Sequence, residues 1–181
     1  MKTTRIATGC ALALSCLTAA QANSLTVDKS RSRIQVDARA TGHSFTGTLN
    51  DYQAAISGNG RTLEPAAVAL TWKFSDLKTG DDKRDREMLK WLGAAPEGSF
   101  RFIKTWKEGD KTMAQGTLAI HGISKTIAFP YTATKEGEWV TIDGTATLNY
   151  QDFSLPLIES FAVMKVDPAL SVRFHLVGQS K

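Results

Sequence analysis

The chain has 181 residues, a formal charge of +4 from 22 Lys and Arg against 18 Asp and Glu, and 42% hydrophobic residues. This composition is typical of a folded domain and excludes disorder as the main state, because the apolar content is ample and the net charge is low. After the first two dozen residues, no apolar run approaches the roughly 20 residues that a membrane-spanning helix needs, which excludes a polytopic membrane protein. The length favours one domain.

The first 22 residues have the pattern of a secretory signal peptide. Lys2 and Arg5 give a positive start, residues 6–20 are apolar, and Ala20-Gln21-Ala22 is a small-x-small cleavage sequence. We therefore predict cleavage after Ala22, a single domain over residues 23–181, and a periplasmic or secreted location. An uncleaved membrane anchor is the alternative, but the apolar run is short and interrupted by polar residues.

Cleavage at this site removes both cysteines, Cys10 and Cys16, and lowers the formal charge to +2. The remaining 159 residues then have no disulfide and no cysteine-ligated metal, so their own hydrophobic core must hold the domain together. A charge of +2, without a basic run interleaved with aromatic residues, argues against nucleic-acid binding. The modest charge leaves transient contact with a membrane surface open.

Apolar residues alternate with polar ones along most of residues 23–181, which predicts β-strands with one buried face. The alternating apolar positions are, in chain order, Ile34, Val36 and Ala38; Val68, Leu70, Trp72 and Phe74; Phe100 and Phe102; Leu118 and Ile120; Ile127, Phe129 and Tyr131; Val140 and Ile142; Ala146, Leu148 and Tyr150; and Val172, Phe174 and Leu176. Turn sequences separate these runs at Gly58-Asn59-Gly60, Glu108-Gly109-Asp110, His121-Gly122 and Glu136-Gly137-Glu138.

One segment departs from this alternation. Residues 81–92 are charged, lack Gly and Pro, and carry Met88 and Trp91 at helical spacing. This pattern predicts a short amphipathic helix of about three turns. Thr79 or Asp81 is expected to cap its start and Gly93 to end it.

The predicted strands each have one apolar face, whereas only one short helix is available to cover them. The sheet must therefore close on itself or pack against another sheet. An antiparallel barrel of about eight strands has an interior that is either filled by side chains or holds one slim ligand. The large inner residues favour a lipid-like ligand, and the sequence leaves both alternatives open.

The sequence contains no motif for catalysis or cofactor binding. It lacks a Gly-x-Ser-x-Gly elbow, a dinucleotide-binding glycine pattern and a phosphate loop. Of the three histidines, His43, His121 and His175, one lies at a turn and one faces outward, so we expect no metal site. Asp85 and Glu87 are expected on a solvated helix face. We therefore predict a binding protein and not an enzyme, without catalytic residues, cofactor or metal.

Several short motifs follow one another in a characteristic order. They lie at residues 27–34, 40–47, 77–80, 83–85, 88–89, 116–125, 152–155 and 172–177. The order and spacing of these motifs resemble the YceI family of secreted, lipocalin-like polyisoprenoid-binding proteins. The similarity covers essentially all of residues 23–181, and its most specific stretch is residues 116–125.

The resemblance implies an all-β, antiparallel, extended lipocalin-like barrel with the helix near one end. It also implies an apolar tunnel that binds, sequesters or transports a long isoprenoid lipid, such as an isoprenoid quinone or a polyprenyl chain. The loop at residues 40–45 is then expected to border the tunnel entrance. The predicted tunnel-lining residues are Ile34, Val36, Phe45, Leu70, Trp72, Phe74, Met88, Trp91, Phe100, Phe102, Leu118, Ile120, Ile127, Phe129, Tyr131, Ile142, Leu148, Val172, Phe174 and Leu176. The alternative is a filled barrel that acts as an envelope stress or interaction protein without a bound lipid.

Overall fold

The computed structural model describes residues 23–93, 96–160 and 164–181. The predicted signal peptide and both cysteines lie outside the described residues, so cleavage after Ala22 stays a prediction. Within the described residues, no helix combines the length and apolar character needed to cross a membrane.

The described residues form thirteen β-strands and one α-helix. The strands are β1 (Asn23–Val27), β2 (Arg33–Ala40), β3 (His43–Leu49), β4 (Gln53–Gly58), β5 (Pro65–Lys73), β6 (Leu77–Lys78), β7 (Glu97–Glu108), β8 (Lys111–Ile120), β9 (Ile123–Glu136), β10 (Trp139–Asn149), β11 (Glu159–Ser160), β12 (Met164–Lys165) and β13 (Ala169–Ser180). The helix is α1 (Asp82–Leu92), and short 3-10 turns cover Phe74–Asp76 and Tyr150–Phe153.

Eight strands close into an antiparallel barrel in the order β1-β4-β5-β7-β8-β9-β10-β13, and β13 completes the ring by pairing with β1. The ladder between β10 and β13 joins eleven residues of each strand. That length corresponds to about 36 Å of barrel wall at the usual rise of a strand. The predicted all-β, lipocalin-like barrel with one helix is confirmed.

The barrel wall divides beside β13. Residues 178–180 of β13 pair with β1, whereas residues 171–175 pair with β2. Strand β2 then pairs with β3, and β3 with β6, beside the helix. We call the end of the barrel at which the helix lies the helix end. The opposite end of the barrel, where the β4–β5, β7–β8 and β9–β10 turns lie, is the far end.

Helix α1 lies where the charged segment predicts it. The side chain of Asp81 caps the helix by accepting hydrogen bonds from the N–H groups of Lys83 and Arg84, at 2.9 and 3.1 Å. Gly93 follows the helix with a φ of 62°, a conformation that glycine adopts without steric penalty. Asp81, and not Thr79, is therefore the cap.

The prediction for Asp85 is wrong. Asp85 was expected on a solvated face, but it is only 6% exposed. Its side chain accepts hydrogen bonds from the backbone N–H and the hydroxyl of Thr79. Helical periodicity alone does not reveal that Thr79, just before the helix, donates the hydrogen bonds that allow the Asp85 carboxyl group to be buried. Glu87 is exposed as expected and pairs with Lys90 at 2.8 Å.

The most deeply buried large side chains among the described residues lie at the helix end of the barrel. Leu92 and Phe153 are each 1% exposed, and Tyr150 is 2% exposed. The Tyr150 hydroxyl donates to the carbonyl of Val166 at 3.0 Å and accepts from the N–H of Ile158 at 3.2 Å. These hydrogen bonds join three points of the connection between β10 and β13.

Candidate functional site

The barrel encloses a cavity of about 650 Å³. This volume lies within the range of roughly 300–1,000 Å³ that is usual for small-molecule sites. Inward-facing apolar side chains from the barrel strands and from α1 form most of its wall. The barrel is therefore hollow and not filled by its own side chains, a distinction that the alternation of apolar residues alone does not make.

All of the predicted tunnel-lining residues border this cavity, from Ile34 on β2 to Leu176 on β13. Phe74 does so from a 3-10 turn, because β5 ends at Lys73, one residue earlier than the alternation suggests. Helix α1 contributes Met88 and Trp91. That these side chains bind a ligand stays a prediction.

Trp91 is held at the helix end by two contacts. Its indole Nε1 donates a hydrogen bond to the carbonyl oxygen of Pro156 at 2.9 Å. Its ring meets the ring of Tyr150 edge to face, with the centroids 5.1 Å apart. These contacts orient the indole between α1 and the chain that follows β10.

Three phenylalanines form a continuous aromatic layer across the lumen wall. The ring centroids of Phe100 and Phe129 are 5.8 Å apart, and those of Phe129 and Phe174 are 5.5 Å apart. Such tilted and edge-to-face pairs are favourable geometries for aromatic rings. The layer joins β7, β9 and β13 around one level of the cavity.

Three glycines allow large rings to lie along the barrel wall. A Cβ atom on Gly98 would lie 2.3 Å from the Trp72 ring, and one on Gly144 would lie 2.2 Å from the Phe174 ring. Gly116 has the same relation to Phe100, also at 2.2 Å. Because the rings cover the glycines, they occupy space at the wall and leave the lumen open. Glycine inside a predicted strand is the sequence signal for such close approach.

Sequence reasoning missed several residues that border the cavity. They include Ala54, Ile56, Leu63, Ala114, Leu155 and Val166. Strand β4 is short and rich in alanine, so its alternation is weak, and Leu63 lies in a turn where no alternation exists. Ala38 and Ala146 also border the cavity; alternation placed them on the inner face, but they were not among the predicted lining residues.

Polar and charged side chains border the cavity at the helix end. His43, Asp81, Lys83, Arg84 and Glu87 all border it there. The guanidinium of Arg84 lies 4.3 Å from the centroid of the Phe45 ring, a cation–π contact that joins α1 to β3. The loop at residues 40–45 therefore lies at a charged mouth of the cavity, where it was expected to border the entrance.

The electrostatics of this mouth are dominated by local pairing. Hydrogen bonds from the backbone N–H groups of Arg84 and Lys83 lower the pKa of the Asp81 carboxyl. The hydrogen bond from Lys90 lowers the pKa of Glu87. Both acids are thus held in their charged form by groups of α1 itself.

His121 and His175 lie away from the cavity wall. His175 contacts Asp143 at 2.7 Å on the exposed outer face, and His121 lies in the β8–β9 turn with a φ of 53°. Within residues 23–93, 96–160 and 164–181, no group of three or more His, Cys, Asp or Glu side chains is placed to hold a metal. The chemistry that this site offers is enclosure of an apolar molecule.

A family model for the YceI-like domain matches residues 25–178. The chain belongs to the YceI-like family. The resemblance seen in the sequence motifs is thereby confirmed. A relative, a UPF0312 protein of Pseudomonas savastanoi pv. phaseolicola, is 29% identical over 150 residues, covering 75% of this chain and 78% of the relative.

Solved structures share this YceI-like fold. The crystal structure of Burkholderia cenocepacia BcnA superposes with a TM-score of 0.73 at 20% identity, covering 84% of this chain and 99% of BcnA. A polyisoprenoid-binding domain from Saccharophagus degradans, implicated in plant cell wall breakdown, superposes with a TM-score of 0.66 at 14% identity. That match covers 89% of this chain and 100% of the domain.

Proposed function

We propose that this YceI-like protein binds a long isoprenoid lipid in the barrel cavity, without covalent chemistry, and carries or sequesters it. The observation that supports the proposal is the cavity of about 650 Å³ with an almost wholly apolar wall. The polyisoprenoid-binding domain of Saccharophagus degradans, which has the same fold, adds support for this class of ligand.

The physical basis is transfer of hydrocarbon out of water. Each methylene-sized group that enters the cavity contributes roughly 0.8 kcal/mol before ordering costs are subtracted. Several isoprene units therefore give useful affinity with no polar contact. Such a site selects by the length and width of the chain and tolerates different headgroups, as a carrier requires.

We place this activity in the periplasm or outside the cell, because the first 22 residues have the pattern of a signal peptide. An isoprenoid chain is insoluble in an aqueous compartment. A barrel that covers the chain would keep it dispersed there. Mass spectrometry of the secreted or periplasmic protein, showing an N-terminus at Asn23, tests this location.

The binding proposal is tested with protein purified without detergent. Solvent extraction and mass spectrometry are expected to find an apolar molecule in the wild-type protein, and the emptied protein is expected to bind an isoprenoid quinone. Absence of both results would overturn the proposal. Phe129→Asp introduces a charge in the aromatic layer and is expected to abolish binding, because a carboxylate in the cavity loses its hydration.

The matched control for Phe129→Asp is Ile103→Asp. Ile103 is 50% exposed on β7, so the same charge there remains in water. Ile103→Asp is expected to bind as the wild type does. Because Phe129→Asp also strains the core, Phe129→Ala is tested beside it. Circular dichroism of each variant then separates loss of binding from loss of folding.

A further inference from the structure

The loop between β4 and β5 lies across the far end of the barrel. Strands β4 and β5 stand on the opposite side of the eight-strand ring from β9. The ammonium group of Lys135, on β9, nevertheless donates a hydrogen bond to the carbonyl oxygen of Gly60 at 3.1 Å. The loop therefore spans the barrel and contacts the far wall.

A second observation points to the same placement. Burial raises the pKa of Tyr131, on β9, and the carboxylate of Glu64 adds to the effect. Tyr131 and Glu64 both border the cavity. The loop residue and the residue of the opposite strand thus both lie on the wall of the cavity at the far end.

Internal hydrogen bonds fix the loop in shape. The side chain of Asn59 accepts from the N–H groups of Arg61 and Thr62, at 2.9 and 3.1 Å. The backbone of Asn59 exchanges two further bonds of 2.9 Å, with Leu63 and with Glu64. Because most of its polar groups are paired by these hydrogen bonds, the loop keeps one conformation and forms a rigid cover at the far end.

Leu63 is held in an unusual conformation by these bonds. Its φ of 60° lies in the left-handed region, which a bulky residue other than glycine rarely adopts. Leu63 also borders the cavity. Strained residues of this kind persist where the surrounding structure determines them, and they concentrate at ligand-binding sites.

We propose that Leu63 forms the floor of the cavity and limits the length of the isoprenoid chain that the protein holds. The inference rests on the proposed binding of such a chain. The tail end of the lipid lies against Leu63, and the headgroup lies at the charged helix end, beside Lys83 and Arg84. Chains that end short of Leu63 gain affinity with each added isoprene unit, and longer chains gain nothing more.

The expected gain below the limit is about fourfold in affinity for each methylene-sized group that leaves water. The experiment measures binding of a graded series of all-trans polyprenols, from farnesol upward, by native mass spectrometry and fluorescence competition. Wild-type affinity is expected to rise with chain length and then to level off. The chain length at which it levels off is the quantity to compare between variants.

Leu63→Gly removes the floor and suits the positive φ, so the levelling-off is expected at a longer chain. Leu63→Trp fills the space, so the levelling-off is expected at a shorter chain. Arg61→Ala is the control within the same loop, since the exposed Arg61 side chain does not border the cavity, and it is expected to match the wild type. If Leu63→Trp fails to fold, Leu63→Gly alone decides.

The outcomes separate the two proposals. An unchanged chain-length limit in Leu63→Gly would overturn the role of Leu63 while leaving isoprenoid binding intact. A wild-type protein that binds no polyprenol of any length would overturn the proposed function, and the role of Leu63 with it.

Discussion

Asp85 accepts two hydrogen bonds from Thr79, one from its backbone N–H at 3.0 Å and one from its hydroxyl at 2.7 Å. Thr79 follows β6, and Asp85 lies in the first turn of α1. The pair therefore attaches the helix to the wall at the mouth of the cavity.

Replacement of Asp85 by alanine is expected to destabilise the protein by about 1–3 kcal/mol, because the N–H of Thr79 then loses its partner. Thr79→Val removes only the hydroxyl bond and is expected to cost less. Urea unfolding followed by tryptophan fluorescence measures both changes. Glu87→Ala, at the exposed pair with Lys90, is the control, with an expected change of about 0.5 kcal/mol or less. Equal effects of Asp85→Ala and Glu87→Ala would contradict the assignment.

Substitution of Gly144 by valine is expected to reduce both stability and lipid binding. Its Cβ would meet the Phe174 ring at 2.2 Å, so the ring must turn into the lumen or the strands must separate. Overpacking of this kind costs about 1–3 kcal/mol. Thermal unfolding and quinone binding measure the two effects.

The control for this substitution is Gly47→Ala. Its Cβ would lie 3.1 Å from Cδ1 and 3.2 Å from Cγ of Leu77 and 3.6 Å from Cγ2 of Thr79, a tight contact without the overlap at Gly144, so a smaller change is expected. The double variant Gly144→Val with Phe174→Ala tests the mechanism, since a smaller side chain removes the clash. A non-additive recovery of stability is expected, and strict additivity would show that the clash is not the cause.

The paired residues Asp37 and Arg173 predict a defined acid sensitivity. The two nitrogens Nε and Nη2 of Arg173 donate to the two carboxylate oxygens of Asp37, at 2.5 and 2.9 Å. These hydrogen bonds lower the pKa of Asp37 below its usual 3.8, and a bond from Thr46 assists. The stabilisation is therefore complete above the usual pKa and is lost as the pH falls through the lowered value.

Asp37→Asn removes this titration. Between about pH 5 and pH 3, the wild-type protein is expected to lose more free energy of unfolding than Asp37→Asn does. Urea midpoints over that interval provide the measurement. Parallel curves for the two proteins would mean that the pair contributes nothing to acid stability.

Tyr150→Phe is expected to loosen the connection between β10 and β13. The hydroxyl both donates to Val166 and accepts from Ile158, so its removal leaves two backbone groups without partners. The expected loss is about 1–3 kcal/mol. Hydrogen exchange should increase at the amides of Ile158 and Val166 and remain unchanged in the β7–β8 ladder. Uniform exchange throughout the barrel would instead indicate global destabilisation.

The sequence predicted the parts of the fold that depend on repeated apolar residues. Strands such as β5 and β13 and the helix α1 follow from periodicity, and all four predicted turn sequences lie at turns. Strand β4 was missed because alanine marks an inner face weakly. The bulge after Phe102, where the β7–β8 register shifts, leaves no signal in the sequence.

The site was predictable in outline because barrel wall and cavity wall are the same surface. Periodicity identifies a residue such as Phe174 as inward-facing, but not whether its ring fills the lumen. That outcome depends on Gly144, which lies opposite on a neighbouring strand. Leu63 depends on a loop that crosses the barrel, a contact between distant parts of the chain that local patterns do not contain.

The divided wall beside β13 has a consequence for how the molecule is made. Strand β13 pairs with β10, β1 and β2, and it follows all three in the chain. During synthesis the ring therefore stays open until β13 has been synthesised, and until then its apolar inner surface remains accessible to other molecules. The barrel therefore cannot close before its last strand is available, whichever strands have already paired.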